Sequence, residues 1–205
     1  MSKPKLSELE QLMSKLVFPF YLVERDAMLP VGQRRSENDA EHSWSVALLA
    51  CSLAPEIDTT LNVGKVAQFA IVHDLVELFA GDTSPWQGDS SFRASKEERE
   101  EKALELIAER FSAFPWIYQT IREYERKASN EATYVWAIDK VIILLLRRLD
   151  KGKFFIDNGI TKEAFDERLI ANKKKAHAHP VVGDYYDQLL ALFEMHPEYF
   201  YRKPV

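Results

Sequence analysis

The stretch from Glu131 to Leu149, EATYVWAIDKVIILLLRRL, decides the fold. Its middle is apolar on every side, and a helix of this kind lies inside a domain rather than on its surface. The uninterrupted apolar run from Val141 to Leu146 is much shorter than the roughly 20 residues that cross a bilayer. We therefore predict a central helix that the rest of the chain surrounds.

Segments on both sides of this helix space their apolar residues three and four apart, as amphipathic helices do. Glycine and proline are sparse, at 7 and 9 of 205 residues, and no run alternates with a strand period. We predict an all-α fold, a helical bundle in a single domain. Helices are expected at residues 7–17, 41–53, 63–79, 96–111, 116–126, 131–149, 163–176 and 184–193, and loops at 24–38 and 82–95.

Composition limits the kinds of binding partner and the cellular compartment that we expect. The 27 basic and 32 acidic residues give a net charge of -5, so we expect neither nucleic acid nor a membrane as a partner. The N-terminal segment is acidic at Ser7–Glu10, unlike a signal peptide. The single cysteine, Cys51, cannot form an internal disulfide, and we expect it to be buried and inert. These features favour the cytoplasm.

One predicted helix presents an imidazole and two carboxylates on a single side. At 100° per residue, His73, Asp74 and Glu77 share one arc, whereas Val72 and Val76 face the opposite, apolar side. Imidazole and carboxylate groups are metal ligands, and a rigid helix would hold them in place. The plain structural alternative is a partly exposed helix with a salt-bridged acid.

Two further residues favour the metal site. His42 lies one turn into its predicted helix, and Asp139 lies in the most apolar helix of the chain. A buried carboxylate needs a cationic partner, because burying an unpaired charge is costly. A metal ion could be that partner; the alternatives are Arg147 and Lys140.

The order His42, His73-Asp74, Asp139 resembles the H…HD…D signature of the HD-domain metal-dependent phosphohydrolases. More narrowly, the chain is similar to the small HD proteins of the bacterial 5'-deoxynucleotidase type. The similarity covers about residues 8–195, the expected core of a single HD domain spanning residues 1–205. It implies a helical, usually dimeric protein that removes phosphate from nucleoside 5'-monophosphates with a divalent ion such as Co²⁺ or Mn²⁺. The segments that carry it are ENDAEHS (37–43), HDLVE (73–77), Gly81-Asp82 and AID (137–139).

The resemblance implies a set of metal ligands and a catalytic group. The ligands would be His42, His73, Asp74 and Asp139, and Glu77 would be the catalytic carboxylate. Two imidazoles and two carboxylates leave about two positions open on a six-coordinate ion, enough for a water and a phosphate oxygen.

The resemblance also implies substrate contacts. Arg25 matches an arginine that meets the substrate phosphate, a task that Arg35 could share, and Asp82 matches an acid that contacts the sugar. In the bacterial enzyme a tryptophan follows this arginine and helps reject ribose, whereas this chain has Asp26. Deoxynucleotides are the expected substrates, and the sugar preference stays open.

Other functions are compatible with the same residues. The substrate could be another phosphorylated metabolite, or the protein could bind nucleotides without catalysis. A two-iron oxidoreductase would need more histidines near the site, and the remaining ones lie in the C-terminal quarter. We expect those histidines, and a basic helix end, to be solvated surface: His177, His179 and His196, then Arg147, Arg148, Lys151 and Lys153.

Overall fold

The computed structural model describes residues 3–32, 35–81 and 95–203. Its regular structure is helical apart from one short hairpin, which confirms the predicted all-α class. The helices are α1 (Leu6–Leu12), α2 (Phe18–Phe20), α3 (Asp39–Ile57), α4 (Val63–Val72), α5 (Glu77–Ala80), α6 (Lys96–Arg110), α7 (Pro115–Glu125), α8 (Asn130–Leu149), α9 (Lys153–Asp157), α10 (Lys162–Ala176) and α11 (Pro180–Glu194), with a π-helical turn at Met13–Val17 and a 3₁₀ turn at Pro197–Tyr199.

Helix α8 lies at the centre, as predicted. It packs against α3, α4, α10 and α11, and ten of its side chains are buried. The hydroxyl of Tyr134 donates a hydrogen bond of 2.9 Å to the carbonyl of Ala50 on α3, which satisfies a buried polar group between the two helices. Among the described residues, no helix is long and apolar enough to span a membrane.

The predicted helix over residues 63–79 is interrupted. Helix α4 ends at Val72, residues 73–76 form turns, and α5 begins at Glu77. Backbone bonds between residues three apart, such as Leu75 to Val72 at 3.1 Å and Glu77 to Asp74 at 2.9 Å, tighten the chain here. The prediction that His73, Asp74 and Glu77 share one arc of a regular helix is therefore wrong.

A small antiparallel hairpin stands where we predicted a loop. Strand β1 (Glu24–Met28) pairs with β2 (Ser36–Asn38). Glu24 lies opposite Asn38 and Met28 opposite Ser36, and the register shifts between these two pairs. Three residues of β1 lie between these positions against one of β2, and such a bulge redirects side chains. Arg25 lies in this bulged part of β1. The side chain of Asn38 then caps α3 by accepting from Glu41 N at 2.9 Å.

Of the residues expected at the surface, Arg147 and His179 are buried and Arg148 is partly buried. Arg147 is 2% exposed, and its guanidinium lies 3.4 Å from the centre of the Phe154 ring. His179 is buried and caps α11 by accepting from Val182 N. Arg148 donates to the hydroxyl of Tyr199 at 2.8 Å.

Two hydrophobic clusters meet along α4. Phe69 and Ala70 belong to the cluster around α8, whereas Val72 and Leu75 belong to a second cluster formed with α1, α6 and α7. The turn at residues 73–76 follows directly, so its polar side chains are held between two packed cores.

Candidate metal centre

Four predicted ligands come together from three separate parts of the chain. His42 comes from the first turn of α3, His73 and Asp74 from the turn after α4, and Asp139 from the middle of α8. His42 Nε2 lies 3.1 Å from Asp139 Oδ1 and 3.7 Å from Asp74 Oδ2, and His73 Nε2 lies 3.1 Å from Asp74 Oδ2. His42, His73 and Asp139 each offer a ligand atom within 4.8 Å of one another, close enough to hold one metal ion, whereas Asp74 falls in a neighbouring group of the same kind with Asp39 and Glu77.

The two histidines are oriented by their other ring nitrogens. His42 Nδ1 lies 3.3 Å from Oε2 of Glu37, and His73 Nδ1 donates to the carbonyl of Ala70 at 2.8 Å. Each Nε2 therefore points toward the carboxylates, as in carboxylate–histidine–metal arrangements. Among the described residues, the buried His73 Nε2 makes no hydrogen bond of standard geometry, although Asp74 Oδ2 lies 3.1 Å away, and the same holds for His42 Nδ1 and Glu37 Oε2 at 3.3 Å. The donor set and the unsatisfied His73 nitrogen fit a divalent metal ion.

The charged groups of the centre shift one another's pKa values. Burial and the charge of Arg25 oppose protonation of His42, but hydrogen bonds to Asp139 and Glu37 outweigh them and raise its pKa to about 9. Burial also opposes ionisation of the carboxylates. For Asp74, the nearby positive charges of His73 and Arg25 outweigh the effect of burial and lower its pKa. For Asp139, the charge of Lys140 does the same. Both carboxylates are therefore ionised and ready to bind a cation.

Arg25 reaches the edge of this cluster from the bulged strand. Its Nη1 donates to Asp39 Oδ1 at 2.8 Å and to Asp74 Oδ2 at 2.7 Å. Glu77 Oε2 lies 3.8 Å from the same nitrogen, and the Glu77 side chain is 7% exposed. A guanidinium and a sheltered carboxylate thus stand beside the metal-type ligands, as expected of phosphate-binding and proton-transferring groups.

Of the other two predicted substrate contacts, only Arg35 lies among the described residues, and its partner is outside the four-residue cluster. Arg35 forms a two-point ion pair with Glu41, and its side chain is 54% exposed. Asp82 lies outside the described residues.

Glu37 and Asp39 were not predicted as site residues, although both are buried and contact Arg25. Glu37 lies in β2 and Asp39 begins α3, so no single periodicity in the sequence connects the two side chains.

An open cleft of about 290 Å³ leads to the centre. His73, Asp74, Glu77 and Asp139 lie in its wall. Four lysines, which were not predicted as site residues, also line it: Lys96, Lys127, Lys140 and Lys175.

The three remaining histidines have partners elsewhere. His177 Nε2 lies 3.1 Å from Asp187 Oδ2, His179 Nε2 lies 3.6 Å from Asp58 Oδ2, and His196 Nδ1 lies 2.7 Å from Glu198 Oε1. The additional histidines that a two-iron centre requires are therefore not supplied to the cluster.

The four-residue cluster occurs within a recognisable sequence family. The sequence model of the HD domain matches residues 22–180, which include all four predicted ligands. This chain belongs to the HD domain family. The family assignment confirms the resemblance seen in the sequence, and the helical architecture of this HD domain agrees with it.

Known proteins resemble this HD domain over much of its length. Human 5'-deoxynucleotidase HDDC2 is 28% identical over 133 residues, covering 64% of this chain and 63% of that protein. The Schizosaccharomyces pombe 5'-deoxynucleotidase hdd1 is 24% identical over 174 residues, covering 81% of each. The crystal structure of a predicted metal-dependent phosphohydrolase from Magnetospirillum magnetotacticum MS-1 superposes with a TM-score of 0.75 at 28% identity, covering 96% of this chain and 97% of that one. The chain spans about 62 to 64% of the length of the vertebrate relatives it matches.

Proposed function

We propose that this HD domain is a metal-dependent phosphomonoesterase that hydrolyses nucleoside 5'-monophosphates, deoxynucleotides foremost, to nucleoside and phosphate. The observation that carries the proposal is the position of Arg25, whose Nη1 is 2.7 Å from Asp74 Oδ2. A phosphate-binding group thereby stands directly beside a metal-type ligand cluster. The names of the human and yeast relatives support a nucleotide as the substrate.

His42, His73, Asp74 and Asp139 would hold the metal ion. A bound divalent ion supplies a water of lowered pKa and polarises the phosphate. We take Co²⁺, Mn²⁺ or a similar ion as the cofactor, because imidazole and carboxylate ligands suit such metals.

The protein's own groups would complete the site. Arg25 would bind phosphate oxygens with its planar fork and offset the charge that develops during transfer. Glu77 would accept a proton from the attacking water, or donate one to the leaving oxygen of the nucleoside. Arg25 Nη1 and Lys96 Nζ, each 3.8 Å away, favour the ionised form of Glu77, which is the form that accepts a proton. Arg35 and Asp82 remain proposed substrate contacts from the resemblance alone.

The proposal includes a homodimer, a single HD domain over residues 1–205, and a place in the cytoplasm. An apolar groove of about 600 Å³ supports the dimer. Its wall contains Trp44, Leu48, Ile71 and Trp116, each between 46% and 68% exposed. Large exposed apolar patches of this kind are typical of protein interfaces.

The test is a hydrolysis screen with the purified protein. Deoxynucleoside and ribonucleoside 5'-monophosphates would be compared with sugar phosphates and other phosphorylated metabolites, each with Mn²⁺, Co²⁺ or Mg²⁺ and after chelation. We expect phosphate release from nucleoside 5'-monophosphates, its loss on chelation, and its return when the ion is restored. Faster hydrolysis of a phosphorylated metabolite outside the nucleotides would replace the proposed substrate. Tight nucleotide binding without phosphate release under any condition would instead indicate a non-catalytic binding protein.

A further inference from the structure

Trp136 on α8 lies in the wall of the cleft that leads to the metal-type cluster, together with Glu77 and Asp139. Its side chain is half-buried, whereas its neighbours Val135 and Ala137 are fully buried. A large apolar ring that stays partly open beside polar groups is the kind of surface that binds the uncharged part of a small ligand.

The rest of the described wall is mostly charged, and its charges of opposite sign are nearly equal in number. Five carboxylates and four lysines line it: Asp74, Glu77, Glu100, Glu125 and Asp139, with Lys96, Lys127, Lys140 and Lys175. The other large aromatic side chain, Tyr124, is only 3% exposed, and its ring packs against Phe69 and His73. Within this described wall, Trp136 is therefore the aromatic residue that offers ring surface to a ligand.

The position of Trp136 relative to the metal-type cluster follows from α8. Trp136 and Asp139 are three residues apart on that helix, so they lie on the same face, about 4.5 Å apart along the axis. In a nucleoside 5'-monophosphate a single sugar separates the phosphate from the base. A nucleotide whose phosphate lies at the cluster therefore has its base within reach of the Trp136 ring.

Lys175 from α10 stands over the same ring. Its Nζ lies 5.6 Å from the ring centre, farther than the roughly 3.5 to 4 Å of a direct contact between stacked atoms. A lysine side chain has a flexible four-carbon stem, so the ammonium can move aside without a change in the helix. Lys175 therefore leaves the ring accessible to a flat group.

We propose that Trp136 binds the base of the substrate nucleotide by stacking, and thereby favours nucleotides over sugar phosphates that lack a base. Every base has a π face, so stacking on an aromatic ring favours bases as a class and does not select among them. The inference rests on the proposed function, in which the phosphate lies at Arg25 and the metal ligands.

Two compounds that differ in the base test the proposal: deoxyadenosine 5'-monophosphate and deoxyribose 5-phosphate. Their kcat/KM values are compared with Mn²⁺ present. Their dissociation constants are compared by calorimetry on chelated protein, in which metal-dependent hydrolysis does not proceed. Trp136→Leu removes the aromatic face but keeps an apolar side chain, and Trp136→Phe keeps an aromatic face. Tyr185→Leu is the control, because Tyr185 is a half-buried aromatic residue on α11 that does not line the cleft.

We expect the wild type to favour the nucleotide in both comparisons, and Trp136→Leu to reduce that preference about tenfold. Trp136→Phe and Tyr185→Leu should retain most of it. A purely structural role of Trp136 would change the values for both compounds equally and leave their ratio as in the wild type. An unchanged ratio in Trp136→Leu, or an equal fall in Tyr185→Leu, would overturn the proposal.

The two kinds of measurement separate this proposal from the proposed function. If neither compound releases phosphate with any ion, while the preference in binding depends on Trp136, the proposed function fails and the base site stands. If phosphate is released and neither ratio depends on Trp136, the base site fails alone. If the nucleotide is neither bound nor hydrolysed, both proposals fail.

Discussion

Oε2 of Glu37 lies 3.3 Å from Nδ1 of His42, and both side chains are buried. A carboxylate in this position fixes the imidazole so that its other nitrogen faces the metal. We expect Glu37→Gln to weaken Mn²⁺ binding by about 10- to 100-fold while the fold is retained. Metal titration of the purified variant measures this, with Glu24→Gln on the same hairpin as the control, because Glu24 is exposed. Equal affinities for both variants would remove Glu37 from this role.

The proposed ligands in the turn after α4 can be removed one at a time. We expect His73→Ala or Asp74→Ala to abolish stoichiometric metal binding and phosphate release, with helix content largely unchanged, because both residues lie between α4 and α5 rather than within them. Metal analysis and circular dichroism are the measurements. His177→Ala is the control, since that histidine is exposed and contacts Asp187. Full metal occupancy in both variants would contradict the site.

Glu77 should affect turnover rather than metal binding. Glu77→Gln keeps the four proposed ligands and the shape of the side chain, but removes the group that accepts and donates the proton. We expect the metal to stay bound and kcat to fall by about 10²-fold or more. Steady-state kinetics with metal analysis would show this. A rise in KM at unchanged kcat would make Glu77 a binding residue instead.

The two arginines of the hairpin region should respond differently to replacement by lysine. Arg25→Lys keeps the charge but loses the planar fork that reaches Asp39 and Asp74, so kcat/KM should fall about tenfold or more. Arg35→Lys should leave kcat/KM within about twofold, because Arg35 is exposed and pairs with Glu41. Kinetics on one nucleoside monophosphate decide between them. Equal losses would mean that the arginines share the phosphate.

Metal binding should depend on pH through His42. Hydrogen bonds to Asp139 and Glu37 raise its pKa to about 9 against the effects of burial and Arg25, so it carries a proton in the metal-free protein at neutral pH. A metal ligand must be neutral, so binding releases that proton. Affinity for Mn²⁺ should therefore rise about tenfold per pH unit between about pH 6.5 and 8.5. A flat profile would mean that His42 is already neutral.

The parts of the fold that depend on periodicity were predictable from the sequence. Helix α8 was predicted to within one residue at its start, because its apolar run is long and distinctive. The break at residues 73–76 was not predictable, because His73 and Asp74 fit a regular helix in sequence. The break consists of tight backbone turns, together with a hydrogen bond from the His73 ring to the carbonyl of Ala70. Neither feature has a sequence signal of its own.

The residues of the candidate site were likewise predictable only in part. His42 and Asp139 were recognised because a polar residue stands out within an apolar helix. Lys140 was recognised only as a possible partner of Asp139, and Lys175 was not recognised, since it follows Lys173 and Lys174 and looks like any exposed basic run. Its place in the cleft wall depends on which neighbour α10 packs against, and that information is tertiary.

The buried guanidinium of Arg147 contacts the carbonyl of Asp26, the residue that follows Arg25 on β1. Asp139 lies eight residues earlier on the same helix, α8. A straight helix is a rigid rod, so the eight residues fix about 12 Å between these two attachment points. One element thus carries a proposed metal ligand and anchors the strand that presents Arg25, the proposed phosphate-binding arginine. An insertion of a single residue between positions 139 and 147 would rotate the anchor by about 100° and separate the two halves of the site without altering any of its side chains.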